Sequence, residues 1–194
     1  MSESEKTDIE LIEEFTAGSE PAFEILYHRH KRQLYGFLHH LLQGNHSEID
    51  EVFSETWIKV LDKLPRYKDQ GRFSAWLFKM SRNIFIDRLR REKHWKFAVA
   101  LDNDEVNLQL IGSKMLEPDL EIEFAEINGA VQSGLDKLPP EQREVFLLRQ
   151  QNLAFKEIAE IQNCSINTVL GRMQYALKNL RQHLQDVDNG GLIK

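Results

Sequence analysis

Between Lys63 and Lys96, eleven lysines and arginines stand against three carboxylates; between Phe97 and Glu126, eight carboxylates stand against Lys114 alone. The formal net charge of −6 hides this segregation. A concentrated positive field is what contact with a polyanion needs. The residues placed to use it fall in two groups. The loop PRYKDQGR combines Arg66, Lys68 and Arg72 with Tyr67, so its cations can hold phosphates while the ring stacks on a base. The same composition also makes a plain solvated connector. Immediately after it, Lys79, Arg82, Asn83, Ile86 and Arg90 share one narrow helix face, which is either a rigid nucleic-acid contact or a solvated strip.

A second constellation lies in LAFKEIAEIQNCSINTVLGRMQYALKNLR. A short helix with the small Ala159, a turn at Asn163-Cys164-Ser165 and a further helix have the layout of a helix-turn-helix. Ser165 is placed to cap the last helix, in which Val169, Met173, Ala176, Leu180 and Leu184 face inward. Ser165, Asn167, Thr168, Gly171, Arg172, Gln174, Tyr175 and Lys178 are then left for a DNA major groove or its phosphates. A bare αα-hairpin is the alternative. Cys164 reads as a small buried apolar residue rather than a redox sensor.

Glu48, Glu51, Glu55 and Asp62, with Lys59 among them, make a third group on one helix face. Such a face is a solvated surface or a dock for a basic partner. The pair His28 and His30 invites a metal reading, but helix residues two apart point in different directions. These histidines, with His39 and His40, read as partly exposed. No Glu-x-x-His pairing or nucleophile–base set supports an enzyme, and neither metal nor cofactor is expected.

The elements that must position these groups are helices. Asp8 opens a short one that Gly18 ends, and Pro21 starts a long one through Leu41. A third, from about Ser47 to Leu64, carries Ile49, Phe53, Trp57, Val60 and Leu64 as its core stripe, and Pro65 stops it. The fourth spans Arg72 to Lys93. Ser74 is its expected cap, with Phe73 packing back on Phe78 as a staple. Phe73, Leu77, Met80 and Ile84 form one apolar face; Phe78, Phe85 and Leu89 form another. A second unit begins near Glu121 with Phe124, Ile127, Val131, Leu135 and Leu138. It continues from Glu141 to Gln151, Ala154 to Gln162, and on to about Leu184. No stretch alternates as a strand. The fold class is all-α: two small helical domains, 1–96 and 121–186, joined by an acidic linker, 97–120, with a tail at 187–194.

Hydrophobic content of 41% supports a core. One cysteine excludes an intrachain disulfide and suits a reducing compartment. The acidic start MSESEKTDIE is no signal peptide, and no apolar run approaches the roughly 20 residues of a membrane span. A cytoplasmic protein without membrane insertion is expected.

Taken together, EVFSETWIKVLDKLPRYKDQGRFSAWLFKMSRNIFIDRLRREK and LPPEQREVFLLRQQNLAFKEIAEIQNCSINTVLGRMQYALKNLR resemble regions 2 and 4 of the sigma-70 superfamily, in its compact extracytoplasmic-function (ECF) type. The resemblance implies a bacterial transcription initiation factor without catalysis of its own. It implies as partners core RNA polymerase, through the β′ clamp helices and the β subunit, promoter DNA and an anti-sigma factor. By the same resemblance, Glu48, Glu51 and Glu55 dock the polymerase. Arg66, Tyr67, Lys68, Arg72, Lys79, Arg82, Asn83 and Arg90 read a melted −10 element, and the helix opening at Ser165 reads the −35 element. The acidic linker matches the segment that threads toward the polymerase active centre. Ser54 stands where the family usually has Gln, Leu170-Gly171 replace Lys-Ser, and Gln174-Tyr175 replace a pair that is often His-Arg. Fewer cations there weaken phosphate contacts and shift sequence preference. The rival is a conventional helix-turn-helix regulator acting on duplex DNA alone, which leaves the Arg72–Lys93 strip without a purpose.

Overall fold

The computed structural model describes residues 6–68, 71–100 and 129–191, with side chains for all of these except 92–100, 130 and 188–191. The linker residues 101–120, the apolar Phe124 and Ile127, and the side chains of Lys93 and Lys96 lie outside that set. The described regular structure is helical: α1 (Asp8–Thr16), α2 (Glu20–Leu41), α3 (His46–Lys63), α4 (Phe73–Ala100), α5 (Gly129–Asp136), α6 (Pro140–Gln150), α7 (Phe155–Gln162) and α8 (Ile166–Gly191), plus a short 3-10 turn Leu64–Arg66. Among the described residues, no helix is long and apolar enough to cross a membrane.

Helices α1–α4 form the first unit. Thr7 and Glu10 cap α1 reciprocally: the Thr7 hydroxyl accepts from the Glu10 amide, and the Glu10 carboxylate accepts from the Thr7 amide at 2.7 Å. Gly18, at φ +105°, turns the chain into α2. The stripe Ile49, Phe53, Trp57, Val60 and Leu64 is buried as the spacing predicts. Phe53 and Trp57 join Tyr27, Phe23 and Tyr35 in a chain of edge-on aromatic contacts.

Helix α4 starts two residues earlier than a Ser74 cap would place it. The Arg72 carbonyl accepts from the Trp76 amide at 3.1 Å, so Phe73 is the first helical residue. The proposed staple is replaced by two separate contacts. Phe73 packs on Tyr67, Trp76 and His30, while Phe78 sits 5.1 Å from Phe37. Phe73, Leu77, Met80 and Ile84 are all buried. The helix continues to Ala100 and so takes in the first four residues assigned to the linker.

Two histidines also depart from expectation. His30 and His40 are buried rather than partly exposed. His30 meets Asp8 at 2.9 Å, which ties α2 to α1. His40 lies where α2 packs against α5 and α6 of the second unit.

In that second unit, buried Arg143 donates to the carbonyls of Leu135, Asp136 and Leu138 at 2.8, 2.9 and 3.1 Å. It thereby satisfies the otherwise orphaned end of α5 at the Pro139-Pro140 corner. Gly134 lets α5 lie close on α8, since an added Cβ would fall 2.9 Å from His183 and 3.0 Å from Leu180. Helix α8 runs on to Gly191, beyond the expected end near Leu184.

Candidate nucleic-acid interface

The Arg72–Lys93 strip lies along the outer edge of α4, beside one face buried through Phe73, Leu77, Met80 and Ile84 and another where Phe78 is buried and Phe85 and Leu89 are half-buried. Lys79, Asn83 and Arg90 are exposed. Together with Arg82, Ile86 and Asp87 they line an open groove of about 580 Å³, whose far wall is Glu160, Ile161, Gln162 and Asn163 of the second unit. A smaller cleft, about 190 Å³, sits between Tyr67, Lys68, Arg72, Trp76 and Lys79 on one side and Glu157 and Glu160 on the other. Arg66 and Lys68 are exposed, whereas Tyr67 is half-buried, its ring 4.6 Å from that of Trp76. Trp76 lines this cleft and also the neighbouring one with Lys59, Lys63 and Asn83. It belongs to neither apolar face read from the sequence of α4, so no pattern there marked it.

The strip is not simply turned to solvent. Arg82 donates through Nε to Glu144 at 2.6 Å, and Arg72 reaches Glu160 at 3.3 Å. Glu144 is 4% exposed, and its second oxygen accepts from Gln162 Nε2 at 2.6 Å. Burial pushes the Glu144 carboxyl above the usual glutamate range, while Arg82, Gln162 and Arg172 pull it back. The amide oxygen of Gln162 in turn accepts from Arg172 at 2.7 Å. One hydrogen-bonded chain, buried at Glu144 and Gln162 and partly buried at its ends, thus runs from Arg82 on α4 through α6 and α7 to Arg172 on α8. Arg172 is a brace of the turn, also reaching toward the half-buried Cys164 sulfur at 3.6 Å.

The turn itself is built as a helix-turn-helix. Asn163 takes a left-handed φ of 53°, and the Cys164 amide bonds back to the Ala159 carbonyl at 3.0 Å. Ser165 then caps α8, its hydroxyl accepting from the Thr168 amide at 3.1 Å. Val169 and Ala176 are fully buried. Ser165, Asn167, Thr168, Gln174, Tyr175 and Lys178 are exposed, and Gly171 is half-exposed.

On α3, the carboxylates expected to dock a partner are half-buried and already engaged within the first unit. Arg88 of α4 bonds both Glu51 and Glu55, Glu55 also pairs with Lys59 at 2.8 Å, and Glu48 accepts from Asn45 at 3.3 Å. The same helix exposes two large apolar residues with no chemical signature in sequence, Ile58 at 66% and Leu61 at 41%. The face is therefore mixed, a bare isoleucine beside a braced acidic ladder.

Two helical units, one with a basic strip beside an aromatic cleft and one with a capped helix-turn-helix, define a two-part DNA-reading factor. Comparison with known proteins agrees. Residues 26–94 match the family model for sigma-70 region 2, and residues 128–180 match that for sigma-70 region 4, together well over half of the chain. The ECF RNA polymerase sigma factor SigW of Bacillus subtilis is 26% identical, over 91% of this chain and 96% of its own length. The ECF sigma-E factor of Haemophilus influenzae is 24% identical, over 92% and 96%. Among solved structures, CnrH bound to the cytosolic domain of CnrY superposes with a TM-score of 0.64 at 24% identity, covering 94% of this chain and 99% of that one. The sigma factor RpoE bound to the anti-sigma factor NepR, from Bartonella quintana, gives 0.63 at 20% identity, covering 84% and 96%. The chain belongs to the ECF type of the sigma-70 family.

Proposed function

We propose that this chain binds core RNA polymerase, directs it to particular promoters and helps to open their −10 region. The observation that carries this reading is the coupling of two faces through Arg88. The residue rises from α4, whose outer edge is the basic strip, and bonds Glu51 and Glu55 on α3, beside the exposed Ile58. A regulator that meets only duplex DNA has no use for a mixed acidic and apolar face fixed rigidly to a second cationic one. A subunit that must hold a melted strand at a set position on polymerase needs that coupling.

In this mechanism Glu48, Glu51, Glu55 and Ile58 dock on the clamp of the polymerase. Lys68, Arg72, Lys79, Arg82, Asn83 and Arg90 take the opened strand, with the cleft beside Tyr67 and Trp76 receiving a base. The start of α8 reads the upstream duplex while Lys178 holds phosphate, and Arg172 keeps the reading helix in register. Opening costs about 1.4 kcal/mol of stacking per base-pair step, so the preformed strand contacts must offset several such steps. The polymerase supplies the chemistry and this chain none. Its place of action is the cytoplasm, where the polymerase works.

In the present arrangement Arg72 and Arg82 are held by Glu160 and Glu144, so strand binding requires the two units to part. The docking half of the reading is tested by competition for core polymerase. The chain should displace a labelled sigma factor from core enzyme, and it should lose that ability when Ile58 and Glu55 are changed together. Binding that survives the double change would assign α3 to something else. An anti-sigma partner, as in the related complexes, would act by holding the closed arrangement.

A further inference from the structure

The first turns of α8 carry an unusual chemistry for a helix that enters DNA. No lysine or arginine occurs from residue 163 to 171, and the first cation, Arg172, is held inward by Gln162. The outward row repeats every four residues: Ile166 is 44% exposed, Leu170 39%, and Gln174 follows on the same side. With Ser165 as the cap, Ile166 is the first helical residue, at the tip that approaches base edges in helix-turn-helix docking. Elsewhere in the second unit, among the described residues, the leucines, isoleucines and valines of α6 and α7 are buried. An exposed isoleucine and leucine stacked at this tip therefore call for a covering surface.

Major-groove chemistry offers one apolar feature, the 5-methyl group of thymine. Guanine is most often read by arginine or lysine, which this tip lacks, whereas asparagine pairs with adenine through N6 and N7. Asn167 stands next to Ile166, exposed and able to make that pair. The tip is thus apolar for thymine methyls and amide-bearing for adenine, without the arginine or lysine that most often reads guanine.

We propose that Ile166 and Leu170 are specificity-determining residues that read thymine methyl groups in the upstream promoter duplex, with Asn167 reading an adjacent adenine. This rests on the assignment of α8 to the upstream element, and it goes further in naming the bases read. The other occupant an exposed apolar pair would fit is a protein surface, such as polymerase itself. The serine cap at the tip of a helix-turn-helix and the neighbouring exposed asparagine favour DNA.

The test uses holoenzyme assembled from core polymerase and the full chain. Linear duplexes with a randomised upstream block are selected by holoenzyme binding. Individual thymines in the selected block are then replaced by deoxyuridine, which keeps pairing and removes only the methyl group. At one or two positions the replacement should weaken binding about fourfold, the worth of one methyl group removed from water. With Ile166→Ala or Leu170→Ala holoenzyme, the matching replacement should have no effect. Both side chains are exposed, so neither variant threatens folding, and both should bind core polymerase as the parent does. Deoxyuridine that is neutral throughout, or a selected block rich in G·C, overturns the proposal while leaving the promoter-binding reading intact. Variants that lose core-polymerase affinity also overturn it, by giving the pair to a protein partner. If no sequence is enriched at all, the promoter-binding reading fails and this proposal fails with it.

Discussion

Arg82 of α4 and Glu144 of α6 meet at 2.6 Å across the boundary between the two units, and the carboxylate has almost no other access to solvent. The residue proposed to hold melted DNA is thus neutralised by the unit proposed to read duplex DNA. Removing one member of a buried pair costs about 3–5 kcal/mol when the survivor stays buried. In Arg82→Ala the stranded Glu144 should therefore escape to solvent by separation of the units. Small-angle scattering should record a larger radius of gyration for this variant than for the parent chain. An unchanged radius with an unchanged melting temperature would mean that the pair contributes nothing to closure.

The buried imidazole of His40 lies at the same boundary, facing His39, Gln132, Asp136 and Arg143. Burial lowers its pKa from the usual 6.5, and the positive field of His39 adds to this. The folded chain then holds fewer protons on this group than the unfolded chain does. Its contribution is harmless above about 6.5 and destabilising as the pH falls below that value toward the lowered one. The melting temperature should drop on acidification through that window, and His40→Gln should flatten the drop. Equal slopes for parent and variant would remove His40 from the account.

Ile58 should matter to polymerase and not to folding. Its side chain is 66% exposed, so Ile58→Glu should leave stability within about 0.5 kcal/mol. Covering an isoleucine on a partner is worth about 1.5–3 kcal/mol, so core-polymerase affinity should fall at least tenfold. A titration of labelled core enzyme would show this, and parity with the parent would exclude Ile58 from the docking face.

Gly171 offers a gain. A Cβ there meets nothing within 4 Å, and its φ is not in the left-handed region. Gly171→Ala should stabilise the second unit by about 1 kcal/mol through helix propensity alone. A melting temperature that does not rise would point to a close approach that the glycine serves in the open form.

What the sequence made legible was local. The core stripe of α3, the first apolar face of α4, the Ser165 cap and most of the inward set of α8 follow from periodicity and capping chemistry and are found in place, whereas Phe85, Leu89, Met173 and Leu184 stay half-buried. The missing parts depend on who meets whom. Arg82, Arg72 and Arg172 read alike as surface cations, and nothing in their own segments reveals Glu144, Glu160 or Gln162, which lie 62, 88 and 10 residues away. His30 and His40 become core residues only because α1 and the second unit cover them. Ile58 and Trp76 lie outside the apolar stripes of α3 and α4, and nothing in their own segments tells that the fold leaves one at the surface and the other in a cleft.

The central claim is that this chain gives core polymerase a promoter specificity. Run-off transcription with core enzyme, on a template carrying a duplex selected by the holoenzyme, tests it directly. A discrete transcript that requires the chain should appear, and it should be lost with Arg82→Ala plus Asn83→Ala although core binding persists. A chain that binds the duplex alone, yet yields no promoter-dependent transcript with core enzyme, would contradict it.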